Sequence, residues 1–172
     1  MAPHSGPILV DTNVIIECFR IGSWRALSSG YPVETVEDCV VETQTGFQRR
    51  RPEQRIDAAK LRATLRRVHP VNDAQRAEIA VRAPDIHLDE GERSLWAHAS
   101  ARRDGWLLCG PDKASLRLGI RLGFRERLVA LERLLDDIGH RSGIPLKDAC
   151  TSRWLARTAR DLLLLEESRD PE

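Results

Sequence analysis

Short apolar runs that alternate with amphipathic stretches predict an α/β fold, a three-layer α/β/α sandwich around a mostly parallel central sheet. Two observations carry this expectation. "ILVD" at 8–11 and "WLLCG" at 106–110 read as brief, fully buried strands, each followed by turn-forming residues. Around them the apolar spacing becomes helical, and strands alternating with helices build parallel sheets.

After "ILVD", "NVIIECFRI" (13–21) reads as a helix and "SWRALSSG" (23–30) as a second, which Gly30 ends. "YPVETV" (31–36) is a second strand with Pro32 at its start, and "VEDCVVETQTGF" (36–47) is helical, with Val36, Val40 and Phe47 roughly on one side. Positions 52–67 form another helix whose apolar positions are Ile56, Ala59, Leu61 and Leu65. "RVHPVN" (67–72) is a short edge strand, since Pro70 excludes a central place. Asp73 caps "AQRAEIAVRA" (74–83), which Pro84 stops, and "LDEGERSLWAHASARRDG" (88–105) is an amphipathic helix closed by Gly105. "DKASLRLGIRLG" (112–123) is a helix and "RLVAL" (127–131) a last strand. The tail "SRWLARTARDLLLLEES" (152–168) is a longer helix with Trp154, Leu155, Leu162 and Leu165 apolar. The 172 residues form one domain, and a soft boundary at Gly143-Ile144-Pro145 sets off 144–172 as a C-terminal helical extension.

Apolar residues make up 41%, which excludes a disordered chain, and 31% charged residues with a net charge of +1 give no bulk attraction to nucleic acid or membrane. Cys18, Cys39, Cys109 and Cys150 are scattered without a C-x-x-C pair, so zinc-finger and thioredoxin chemistry lack their spacing. Cys39 and Cys109 lie in apolar runs and read as core residues. His4, His69, His87, His98 and His140 form no motif or cluster in the sequence and read as structural or surface side chains. With no signal-peptide pattern and no membrane-length apolar run, the expected setting is reducing and cytoplasmic.

Four acids stand out. Asp11 and Asp112 each follow a buried strand; singly each reads equally as a helix cap, but together they bring two hard oxygen ligands to one edge of a parallel sheet, where active sites of such folds lie. Glu92 shares a helix face with Leu95, Trp96 and Ala99, so its carboxylate points toward the core and needs a cation or hydrogen bonds. It also sits three residues after Asp89, the spacing of a capping box. Glu42 shares its face with Cys39, Thr45 and Gly46, small neighbours that leave room for a ligand, although a solvated glutamate fits as well. Glu37, Asp38 and Glu90 are expected on the surface.

The order Asp11, Glu42, Glu92, Asp112, in "ILVDTNVII", "VVETQTG", "LDEGERSLWAHA" and "WLLCGPDKASLRLG", resembles the PIN-domain ribonucleases and, within them, the VapC-type toxins. The likeness runs from about Ile8 to Phe124. It implies a PIN-like sandwich whose acidic pocket binds Mg²⁺ or Mn²⁺, with catalytic and metal-binding roles for Asp11, Glu42, Glu92 and Asp112, and Asn13 as a supporting polar residue. One departure is Gly110, where the family often has Ser or Thr two residues before the last acid. The resemblance further implies an RNA substrate, a homodimer and an antitoxin whose peptide covers the pocket. Arg49, Arg50, Arg51, Arg55 and Lys60, with Lys113 beside Asp112, are candidates for phosphate contact, or equally a solvated helix face. The expected activity is therefore a metal-dependent endoribonuclease; a stand-alone RNA-processing nuclease and a non-catalytic RNA-binding or regulatory domain are the alternatives. An aspartate-based phosphatase would need a second Asp at 13, which is Asn13 here.

Overall fold

The computed structural model describes residues 3–45 and 55–169. Four parallel strands, β1 (Ile8–Val10), β2 (Val33–Val36), β3 (Arg67–His69) and β4 (Leu107–Cys109), lie in the order β3-β2-β1-β4. Ile8 faces Val33 on one side and Leu107 on the other, so β1 is central and the carboxyl ends of β1, β2 and β4 open on one edge. "RVHPVN" supplies edge strand β3, as Pro70 requires. "RLVAL" makes only an isolated bridge, Leu128 to Leu108, because the chain touches β4 for one residue before turning into a helix.

The helices are α1 (Thr12–Arg20), α2 (Trp24–Gly30), α3 (Glu37–Thr43), α4 (Ala58–Thr64), α5 (Asp73–Arg82), α6 (Glu90–Ala101), α7 (Lys113–Arg121), α8 (Leu131–Asp137) and α9 (Ser152–Glu167). They cover both faces. Ile8, Val10, Val33 and Cys109 pack with Val14, Ile15, Cys18, Leu27, Leu131 and Leu134 of α1, α2 and α8. On the other face Leu9, Val36 and Leu108 meet Ile79, Leu95, Trp96, Ala99 and Leu118 of α5, α6 and α7. Each such fully buried large side chain stabilises by ~1.5–3 kcal/mol. A Cβ at Gly119 would meet the Trp96 ring at 2.6 Å, so glycine lets α7 approach α6 across that indole. All four cysteines are buried and unpaired.

Several boundaries differ from the sequence expectation. Asn72, not Asp73, caps α5, its Oδ1 accepting the Gln75 N–H at 2.9 Å while Gln75 Oε1 accepts the Asn72 N–H at 2.9 Å. α6 stops at Ala101 rather than at Gly105, because Arg102 turns extended and its guanidinium binds Glu34 and Asp104. Helix α4 covers only 58–64 of the expected 52–67, of which 52–54 lie outside the described residues, as do Gly46 and Phe47 beyond α3.

The segment after residue 143 is fastened to the sandwich. Glu17, 1% exposed, accepts the Lys147 N–H at 2.8 Å, and Arg20 binds both Glu17 and the Pro145 carbonyl. Trp154 is buried, and Glu166 accepts from Arg117 and Arg121 of α7.

Candidate metal centre

Asp11 ends β1. Its Oδ2 accepts the Asn13 N–H at 3.3 Å, so it caps α1 at the carboxyl edge of the sheet. The residue is 2% exposed, and Oδ1 is buried without a hydrogen-bond partner. Burial, only partly offset by the Asn13 N–H, raises its pKa to about 7, and the charges of Asp89 and Glu42 add to the rise. Asn13, expected to brace the pocket, contributes that backbone N–H while its own position is exposed.

Glu42, in the last turn of α3, is held between the neighbours of two other acids. Thr12, next to Asp11, donates its hydroxyl to Oε2 at 2.7 Å; Gly91, next to Glu92, donates its N–H to Oε1 at 2.9 Å. A Cβ at position 91 would stand 2.5 Å from Oε2, so only glycine brings this N–H to the carboxylate without moving it.

Glu92 and Asp89 satisfy both arms of the capping box: Asp89 Oδ1 accepts the Glu92 N–H at 2.8 Å, and Glu92 Oε2 accepts the Asp89 N–H at 3.2 Å. The cap and the inward carboxylate are thus one arrangement. Glu92 is 4% exposed; burial, then repulsion from Asp112, Asp89 and Asp11, pushes its pKa up to about 8. Asp112 caps α7, Oδ1 accepting from the Ala114 N–H at 2.7 Å and the Ser115 N–H at 3.1 Å. Under this cap Trp96 Nε1 donates to Ser115 Oγ at 2.8 Å.

At the carboxyl edge of the sheet Asp11 thus feels the charges of Glu42 and Asp89, and Glu92 those of Asp11, Asp89 and Asp112. Sequence reasoning missed three participants. Asp89 adds a fifth carboxyl, and Thr12 and Gly91 hold Glu42. The Asp89-x-x-Glu92 spacing was a readable signal for the first; for Gly91 there was none, because its role depends on a contact 49 residues away. Asp38, expected on the surface, is half-buried and accepts from Ser94 and Arg76.

One side of α6, continued by its C-cap Arg102, serves this layer in sequence. Gly91 holds Glu42, Ser94 binds Asp38, His98 stacks on His69, and Arg102 reaches Glu34.

The donor set is entirely carboxylate oxygen, which suits Mg²⁺ or Mn²⁺, and the unpartnered buried Asp11 Oδ1 is a lone pair a cation would satisfy. Among the described residues, the three ligand-type side chains that converge within 4.8 Å are Glu34, His69 and His98, away from these acids. Of the basic candidates, Arg55, Lys60 and Lys113 are exposed, while Arg49, Arg50 and Arg51 lie outside the described residues. Arg62, in the same stretch, is taken up by Glu37 through bonds of 2.9 and 2.6 Å.

Comparisons with protein-family models, with curated proteins and with solved structures give no match. No helix among the described residues is long and apolar enough to cross a membrane.

Proposed function

We propose that the chain is a metal-dependent endoribonuclease of the PIN type. The observation that carries this reading is the buried, unpartnered Oδ1 of Asp11 in a pocket where Glu92 and Asp112 add further carboxylates. Leaving such an oxygen buried without a partner costs ~1–3 kcal/mol, which a bound cation would offset. Asp11, Glu92 and Asp112 would hold Mg²⁺ or Mn²⁺, and Glu42, fixed by Thr12 and Gly91, would accept a proton from a water or bind a second ion. A bound divalent ion supplies a Lewis acid for the phosphoryl oxygen and acidifies a water. Without it, Asp11 and Glu92 hold protons near neutrality, which lowers the charge that a phosphate backbone meets. Lys113, exposed beside Asp112, is placed to take a phosphate oxygen.

The likeness of the four acidic segments to VapC-type toxins extends the proposal to a toxin–antitoxin pair, working as a homodimer with an antitoxin peptide over the pocket, in the cytoplasm.

The test is cleavage of a mixed RNA pool by purified protein with Mg²⁺ or Mn²⁺, beside EDTA and the folded Asp11→Asn variant. Cleavage that both controls abolish supports the reading. Inert folded protein under either metal, free of copurified inhibitor, refutes it in favour of a non-catalytic domain.

A further inference from the structure

Away from the acidic pocket, three side chains that no sequence motif joined come together. Glu34 of β2, His69 of β3 and His98 of α6 each bring a ligand-type atom within 4.8 Å of the other two. Glu34 is 3% exposed and points to the apolar face of the sheet that carries Leu9 and Val36. The two imidazoles stack with centroids 3.9 Å apart. His69 Nε2–H donates to Glu34 Oε2 at 2.8 Å. Arg102 Nη1 donates to the same oxygen at 2.6 Å and to His98 Nε2 at 3.0 Å. Arginine has donors only, so the Nε2 lone pair of His98 faces into the group. A cationic nitrogen thus touches two of the three ligands.

We propose that Glu34, His69 and His98 form a second metal site, for a borderline transition ion such as Zn²⁺, with Arg102 Nη1 as the resident cation that the metal displaces. Two imidazoles and one carboxylate are a zinc-type donor set, distinct from the all-oxygen pocket, and they leave a fourth position for water. Tetrahedral ligands at ~2.0–2.2 Å from zinc lie ~3.3–3.6 Å apart, so closing the present group needs side-chain rotation and no change of fold. On binding, His69 shifts its proton from Nε2 to Nδ1 through solvent, and its Nε2 lone pair turns to the metal. His98 already presents its Nε2 lone pair to the group, accepting from Arg102 Nη1 at 3.0 Å. Arg102 keeps its charge and swings outward, still gripped by Asp104 through bonds of 2.8 and 2.5 Å. His98 follows Glu92 by six residues, which puts the two sites ~9 Å apart along the α6 axis.

The test titrates the EDTA-treated full chain with Co²⁺, followed by its visible absorption, and then with Zn²⁺ in competition. In the wild type and in Asp11→Asn an intense low-symmetry cobalt spectrum is expected to saturate at one equivalent, any Co²⁺ on the all-oxygen site absorbing weakly; His69→Ala and His98→Ala, shown folded by circular dichroism, are expected to lose it. Arg102→Met removes the competing cation and binds about tenfold tighter or better. No cobalt spectrum in the wild type, or one that survives both histidine substitutions, overturns the site. Equal affinity in Arg102→Met overturns the role given to the guanidinium. Loss of the spectrum in Asp11→Asn assigns the ion to the acidic pocket and also overturns it.

Discussion

Replacing Asp11 with Asn should change how stability depends on pH, in an amount that follows from one buried oxygen. The folded chain holds the Asp11 proton until about pH 7, whereas the unfolded chain releases it near 3.8. The raised value means that this carboxyl's contribution to stability is full below the unfolded value and is lost as pH climbs through the folded one. At about pH 5.5 the retained proton favours the native state by about 2 kcal/mol, and at about pH 8.5 by almost nothing. The wild type therefore gives up about 2 kcal/mol across that interval that Asp11→Asn keeps. The fixed cost of burying an Asn amide where Oδ1 lacks a partner is the same at both pH values and cancels. Glu92 titrates in both proteins, and loss of one repelling neighbour lowers its pKa in the variant, which adds to the difference in the same direction. Urea unfolding followed by tryptophan fluorescence, in EDTA at the two pH values, measures this. Equal pH slopes in the two proteins would refute the claim that Asp11 is held protonated by burial.

Gly91→Ala pushes a methyl to within 2.5 Å of Glu42 Oε2 and so moves the one acid held by Thr12 and Gly91. RNA cleavage in saturating Mn²⁺ should fall about tenfold or more, with Tm moving by less than ~4 °C, because the better helix propensity of Ala offsets the displacement; wild-type cleavage would exclude a role for the Gly91–Glu42 bond. Gly110→Ser fits, since its Cβ would stand 3.4 Å from Asp11 Cβ, and its hydroxyl supplies a donor beside the orphaned carboxylate. The pH midpoint of Mg²⁺ binding should fall by up to about one unit, and an unchanged midpoint counts against the orphaned-oxygen argument. Glu17→Ala leaves the Lys147 N–H and Arg20 without their acceptor and should cost about 2–3 kcal/mol in urea unfolding, with faster proteolysis near residue 145. Wild-type stability there would mean that the clasp on the C-terminal segment carries no energy.

The strands and most helices were legible because each is short, apolar and punctuated by Gly, Pro or a capping residue. Helix α8 was not anticipated, although Leu131, Leu134 and Leu135 have helical spacing, because Leu131 also closes the apolar run "RLVAL", which reads as a strand. The strand "VETV" is legible and its period-two alternation sets Glu34 on the side of Val36, but that this side faces Leu9 and the core follows only from the pairing of β2 with β1. The histidines looked dispersed because His69 and His98 are brought together only when edge strand β3 and the second half of α6 dock on β2. Asp11, Glu92 and Asp112 were legible from strand ends and helix phase, since both are local. What holds Glu42 was not, since Thr12 and Gly91 come from 30 residues before and 49 after it.

The polar stripe of α6 also limits how the length of this chain can vary. Gly91, Ser94, His98 and Arg102 meet partners on α3, β2 and β3. Inserting or deleting one residue between 91 and 98 would turn everything beyond it by about 100° around the helix axis. Ala99 would leave the core, His98 would leave its stack on His69, and Arg102 would swing away from Glu34, whose buried carboxylate would keep only His69 and Arg66. The residue count of α6 therefore cannot change between these contacts without parting the Glu42 and Asp38 partners at its start from the Glu34 partner at its end.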